Sequence, residues 1–170
     1  MNRTTFEQIF AIMQRSFPDN EYRTFEGQLA LLNNPHYRLI TDTDQSGTII
    51  AFLACWEFPK FRFVEHLAVD PDIRGGGIGK QLMLTYMKQS DKPVLLEVEP
   101  PLQEMAQRRV GFYERLGFHL NPYPYVQPPL REGQAELPLC IMTSPQPVEE
   151  QEFLRFREVL YREVYRTVSA

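Results

Sequence analysis

The stretch DIRGGGIGKQLM, residues 72–83, restricts the fold of this chain more than any other, because it lies between a β-rich run and a helical one. Before it, RFVEHLAV (62–69) alternates as a strand does and is stopped by Asp70-Pro71. After it, IGKQLMLTYMKQS places Ile78, Leu82 and Tyr86, with Met83, on one helical face. The centre of the chain is thus a strand, a glycine turn and a helix.

The flanking sequence supplies the other elements. Phe6, Ile9, Phe10, Met13 and Phe17 recur at helical intervals, and Thr4 with Glu7 has capping-box spacing. Pro18-Asp19-Asn20 breaks that helix, and a shorter one follows with Phe25, Leu29 and Leu32 on one face. YRLIT and TIIAFLACWEF read as strands joined by the hairpin loop DTDQSG. PVLLEVE (93–99) is a strand, EMAQRRVGFYERLGF a helix closed by Gly117, and two strands are expected near 118–126 and 137–143. Antiparallel hairpins at the front and a β-α-β-α-β middle make a mixed α/β (α+β) sheet. Beyond Pro147, Phe153, Phe156, Leu160, Val164 and Val168 form an amphipathic stripe, with Glu158 and Arg162 as an i,i+4 pair. That tail helix packs on its own domain or, in the alternative, serves a homodimer.

Glycine spacing decides what the central loop can bind. A Walker A loop needs a hydroxyl after Gly79-Lys80, and Gln81 stands there. A G-x-G-x-x-G fingerprint needs a glycine where Lys80 or Leu82 stands. R-x-x-G-x-G fits, from Arg74 through Gly77 to Gly79. Glycine lets backbone approach a diphosphate closely, and the following helix offers unpaired N–H groups with the positive end of its dipole.

Composition excludes several function classes. The 170 residues suit one domain, and a net charge of −4 is against a general nucleic-acid binder. No apolar run approaches the roughly 20 residues of a membrane span, and the N-terminus lacks a signal-peptide core, so the expectation is a cytoplasmic protein. Cys55 and Cys140 lack metal-ligand spacing and clustered histidines, so no metal is expected.

EHLAVDPDIRGGGIGKQLM resembles the acetyl-CoA-binding segment of the GNAT family of N-acetyltransferases, and RRVGFYERLGF resembles that family's late helix with its F-Y-x-x-x-G-F ending. The element order over 1–145 resembles the family's as well. The resemblance implies a mostly antiparallel sheet with splayed central strands flanked by helices. It implies an acetyl-CoA-dependent N-acetyltransferase domain over 1–145, with the amphipathic helix of 146–170 appended. It also implies acetyl-CoA as donor, with Leu67 and Val69 offering backbone groups to pantetheine. Arg74, Gly75, Gly76, Gly77, Gly79 and Lys80 would hold the pyrophosphate, and Tyr113 would lie near the thioester sulfur. Two departures stand out: Ala106 replaces a frequent asparagine, and Arg109 replaces a small residue. Arg108 or Arg109 then meets a CoA phosphate or belongs to a solvated helix face.

Acetylating an amine requires its neutral form. For a pKa of about 10.4, deprotonation at pH 7 costs about 4.6 kcal/mol, which a carboxylate base can help meet. Glu65, in step with Leu67 and Val69, and Glu97, on the next strand, are the candidates, with Glu99 a weaker third. Tyr113 is the candidate acid for the departing thiolate. His66 reads as a packed histidine. Asp19, Glu21, Glu26, Tyr22, Tyr123 and Tyr125 suit a cationic amine acceptor, or are packed and solvated loop residues. A non-catalytic acyl-CoA sensor is the alternative function.

Overall fold

Asn2 begins the first helix. In the computed structural model, which describes residues 1–73 and 75–167, α1 spans Arg3–Ser16 and the Thr5 N–H donates to Asn2 Oδ1 at 2.7 Å. Thr4 and Glu7 therefore do not form the expected capping box: both lie inside the helix, and Glu7 pairs with Arg3. An asparagine side chain in extended backbone before the first turn satisfies one of its orphan donors, the Thr5 N–H, so the cap stands at Asn2 rather than at Thr4.

The architecture is mixed α/β, with seven strands, mostly antiparallel, flanked by helices. Two compact units divide it: Met1–Phe58 with Val64–Asp91, and Pro59–Phe63 with the chain from Lys92 on. In the first unit, α2 (Phe25–Ala30) continues as a 3-10 turn, and β1 (Tyr37–Thr43) pairs antiparallel with β2 (Ile49–Glu57). Asp44 Oδ1 organises their hairpin loop, accepting from the N–H groups of Ser46 and Thr48. β3 runs Arg62–Val69, as the alternation predicts, and α3 runs Ile78–Met87. β2 is buried along nearly its whole length, and Phe6, Ile9 and Met13 of α1 join Phe52, Leu53 and Trp56 in the core. On α3 the fully buried residues are Met83 and Tyr86, while Ile78 and Leu82 are half-buried.

In the second unit, β4 (Val94–Val98) pairs antiparallel with β7 (Leu137–Ser144), placing Glu97 opposite Ile141. α4 (Glu104–Arg115) ends as Gly117 foretells. Gly117 has φ +99, its N–H donates to Glu114 O, and Phe118 N–H donates to Tyr113 O, a Schellman closure. The strand expected at 118–126 is two short pieces, β5 (His119–Leu120) and β6 (Tyr125–Gln127), both on β7. Pro122 and Pro124 have no N–H to continue a ladder. Buried Asn121 fills the break, donating to Ile141 O and Thr143 Oγ1 and accepting from Val148 N–H.

The tail helix α5 (Glu150–Val159) widens into a π turn over Leu160–Val164. Phe153 lies 5.1 Å from the Tyr123 ring and Phe156 lies 4.6 Å from Phe61, while Leu160 and Val164 are also buried. Val168 lies outside the described residues. Arg162 pairs with its neighbour Glu163 rather than forming the expected bridge to Glu158, because the wide turn breaks the i,i+4 register.

Candidate active site

Gly75, Gly76 and Gly77 have φ of +79, +80 and +63 and are exposed. A Cβ built on Gly75 or Gly77 would meet no atom within 4 Å. Backbone conformation and open approach, rather than packing, therefore call for glycine here. Gly77 is the left-handed N-cap of α3 and provides no side-chain cap, so the first-turn N–H groups face outward without one. Gly79 packs close to β3, where a Cβ would stand 3.4 Å from Val69 Cγ2, and Lys80 is exposed on the first turn. Leu67 and Val69 are half-buried on alternate positions of β3. Arg74 lies outside the described residues.

The loop entrance is held by charge. Arg15 Nη2 of α1 sits 3.0 Å from Asp70 Oδ1 and 2.8 Å from Asp72 Oδ2. Asp72 N–H donates to Asp70 Oδ1, and Asp70 N–H donates to Ile50 O of β2. One guanidinium thus balances the two carboxylates that precede the glycine turn, an arrangement the spacing of sequence signals did not reveal.

Glu65 is enclosed. Arg23 Nη1 donates to Oε2 and Trp56 Nε1–H donates to Oε1, each at 2.8 Å. Burial by itself would raise the Glu65 pKa, but Arg23 and Trp56 more than offset it, and the carboxyl is held below its ordinary range. Gln28 Oε1 steadies the same guanidinium. Burial likewise pushes Tyr37 far up. His66 is packed, as read: it lies against Phe17, donates Nε2–H to Glu21 O at 2.7 Å, and is depressed by burial.

In the second unit, Glu97 of β4 receives two tyrosine hydroxyls. Tyr125 donates to Oε2, and Tyr165 lies 2.7 and 2.8 Å from the two carboxylate oxygens. Burial first, and then Glu97 itself, raises Tyr125 well above the usual phenol value, so it is a donor throughout the neutral range. Tyr113 on α4 is pushed up to about 12 by burial, with Arg109 pulling the other way, and its ring packs edge-on against Phe118 and Phe112. Arg108 pairs with Glu104 on an exposed helix face. Of the residues weighed for the acceptor, Tyr22 is buried against Phe10 and Tyr123 donates to Val148 O. Asp19, Glu26 and Glu99 are exposed. Among the described residues no cluster of three His, Cys, Asp or Glu could hold a metal, and no helix is long and apolar enough to cross a membrane.

Sequence reasoning missed Arg23 and Tyr165, bound to carboxylates 42 and 68 residues away, and Trp56, bound to one on the next strand. No local pattern signals them.

Residues 5–118 match the model of the acetyltransferase (GNAT) family. A Bacteroides thetaiotaomicron protein assigned to the GNAT family is 32% identical, with a TM-score of 0.88 over 97% of this chain and 94% of that one. YjbC of Bacillus subtilis (strain 168), which carries an acetyltransferase name, is 32% identical over 112 residues, or 64% of this chain. That match spans 58% of YjbC's own length. A Sinorhizobium meliloti phosphinothricin acetyltransferase, solved with AcCoA, shares the fold at a TM-score of 0.60 and 16% identity, over 89% of this chain and 88% of that one.

Proposed function

Because this chain belongs to the acetyltransferase (GNAT) family, we propose that it transfers an acetyl group from acetyl-CoA to a primary amine of a small molecule or peptide, by direct attack in a ternary complex. The observation that carries this reading is the glycine run: three consecutive left-handed glycines, open in front, lead into a helix without a side-chain cap. Such backbone gives a pyrophosphate several N–H donors at once, where a single helix dipole contributes only about 0.3–2 kcal/mol per charge.

Acetyl-CoA, when bound, supplies an acyl group activated as a thioester. Gly75, Gly76, Gly77 and Gly79, with Lys80, hold the pyrophosphate, and Leu67 and Val69 offer their strand N–H and C=O groups to the pantetheine. Glu97 receives the proton of the attacking amine. Glu65 is the poorer base, since Arg23 and Trp56 bind both its oxygens and keep its proton affinity low, whereas two tyrosine hydroxyls donate to Glu97. Tyr113, protonated well above neutral pH, donates a proton to the departing thiolate. In this reading Glu65 has a structural role, tying the Arg23 segment to β3.

The test is thiol release from acetyl-CoA with a panel of primary amines, run beside a direct CoA-binding measurement. Release with at least one amine class supports the assignment. Binding without turnover across the panel replaces it with a non-catalytic acyl-CoA sensor, and absence of binding removes both.

A further inference from the structure

Glu97 is not held by its own neighbourhood alone. Tyr165, 68 residues later in the chain, donates its hydroxyl to both carboxylate oxygens, at 2.7 and 2.8 Å. The segment that brings it there is irregular in three ways. The helix widens, with the Tyr165 N–H donating to Leu160 O at 3.1 Å, five residues back. Arg166 has φ +54, the one positive value at a non-glycine among the described residues. Thr167 then folds back, its N–H donating to Tyr161 O at 2.8 Å. Buried Leu160 and Val164, with the Tyr161 hydroxyl on Val126 O, anchor the turn. Wide turns and left-handed non-glycine residues cost free energy and persist where surroundings over-determine them. Here the outcome of that distortion is a phenol aimed at a carboxylate.

We propose that Tyr165 is a positioning residue for the Glu97 carboxylate, delivered by the C-terminal helix and its wide last turn. The inference rests on the reading of Glu97 as base. A hydroxyl straddling both oxygens can donate to whichever one keeps the charge as the other takes the amine proton. It therefore fixes the carboxylate plane without blocking proton uptake. Tyr125 from β6 and Tyr165 from the tail both reach Glu97, and Tyr161 is coupled to it through charge. Tyr125 and Tyr161 are both raised above the ordinary phenol value, in each case first by burial.

The test is Tyr165→Phe, which keeps the ring and removes the hydroxyl. The expected result is a kcat lowered about 10-fold, an acetyl-CoA Kd within about twofold of the parent, and the acid limb of kcat/KM displaced upward by about one pH unit, because the carboxylate anion loses a donor. Tyr161→Phe is the control: it loosens the same turn through Val126 O and leaves the acid limb in place. A Tyr165→Phe enzyme that loses only thermal stability, with kcat and acid limb unchanged, overturns the proposal. So does an equal displacement of the limb in Tyr161→Phe. Glu97→Gln separates the two readings. Full activity in that variant removes Glu97 as base and this inference with it, whereas an inactive Glu97→Gln beside a normal Tyr165→Phe removes this inference alone.

Discussion

Arg23 and Glu65 meet as a buried ion pair, Nη1 to Oε2 at 2.8 Å, with side chains only 11% and 3% exposed. Trp56 Nε1–H completes the coordination of the carboxylate. Removing one partner of such a pair leaves an uncompensated charge in a dry site, at a cost of about 3–5 kcal/mol. Arg23→Ala is expected to lower Tm by on the order of 10 °C, at about 2–4 °C per kcal/mol for a chain of this size. A fall below about 3 °C in a thermal melt would show that the pair is dispensable.

The same cluster predicts how stability falls in acid. His66 is depressed by burial, and its buried Nδ1 has no hydrogen-bond partner among the described residues, so a protonated ring would carry an unmet N–H. A histidine with a lowered folded pKa stabilises the fold fully above its unfolded value of about 6.5 and loses that contribution as pH falls toward the folded value. Glu65, also lowered, contributes above about 4.3 and loses its share below that. Melts should therefore show two acid steps, one beginning near pH 6.5 and one below about pH 4.3. His66→Gln flattens the first and Glu65→Gln the second. A single step unaffected by His66→Gln contradicts the assignment.

Much of this was legible locally, and what was not has a common cause. β3 has the bounds that alternation gives, Gly117 closes α4 as a C′ glycine, and the glycine run lies between strand and helix. Each depends on a few adjacent residues. Arg23, Trp56 and Tyr165 depend on chain segments that meet only after folding, and periodicity carries no record of them. The break at Asn121 differs in kind: Pro122 and Pro124 lack the N–H a ladder needs, a local signal that the expectation of one strand over 118–126 leaves out. The first cap was misplaced by two residues, since Asn2, not Thr4, presents an acceptor ahead of the first turn.

Gly77→Ala separates conformation from packing in the glycine turn. The added Cβ meets nothing within 4 Å, so sterics within the fold are not at issue. What remains is φ +63, a left-handed backbone that costs an alanine roughly 1–2 kcal/mol, and a methyl group standing before the first-turn N–H groups of α3. Tm should fall by only a few degrees, while the Kd for acetyl-CoA measured by calorimetry rises about 10-fold or more. An unchanged Kd would dissociate this turn from pyrophosphate binding.

Tyr113→Phe tests the acid. Burial pushes the hydroxyl up to about 12, so it remains protonated at every assay pH and its own titration supplies no basic limb below that value. The ring contacts with Phe118 and Phe112 survive the substitution, which predicts a Tm close to the parent's. A donor used only as the thiolate departs stabilises the transition state and not the bound cosubstrate. Its loss therefore appears in kcat, by about 100-fold, with little change in acetyl-CoA Kd. Donation to the departing sulfur also predicts that the deficit shrinks with an acyl thioester whose thiol has a lower pKa, because a better leaving group needs less help. Equal losses in kcat and affinity would make Tyr113 a binding residue. A deficit independent of the leaving thiol would place its hydroxyl elsewhere in the reaction.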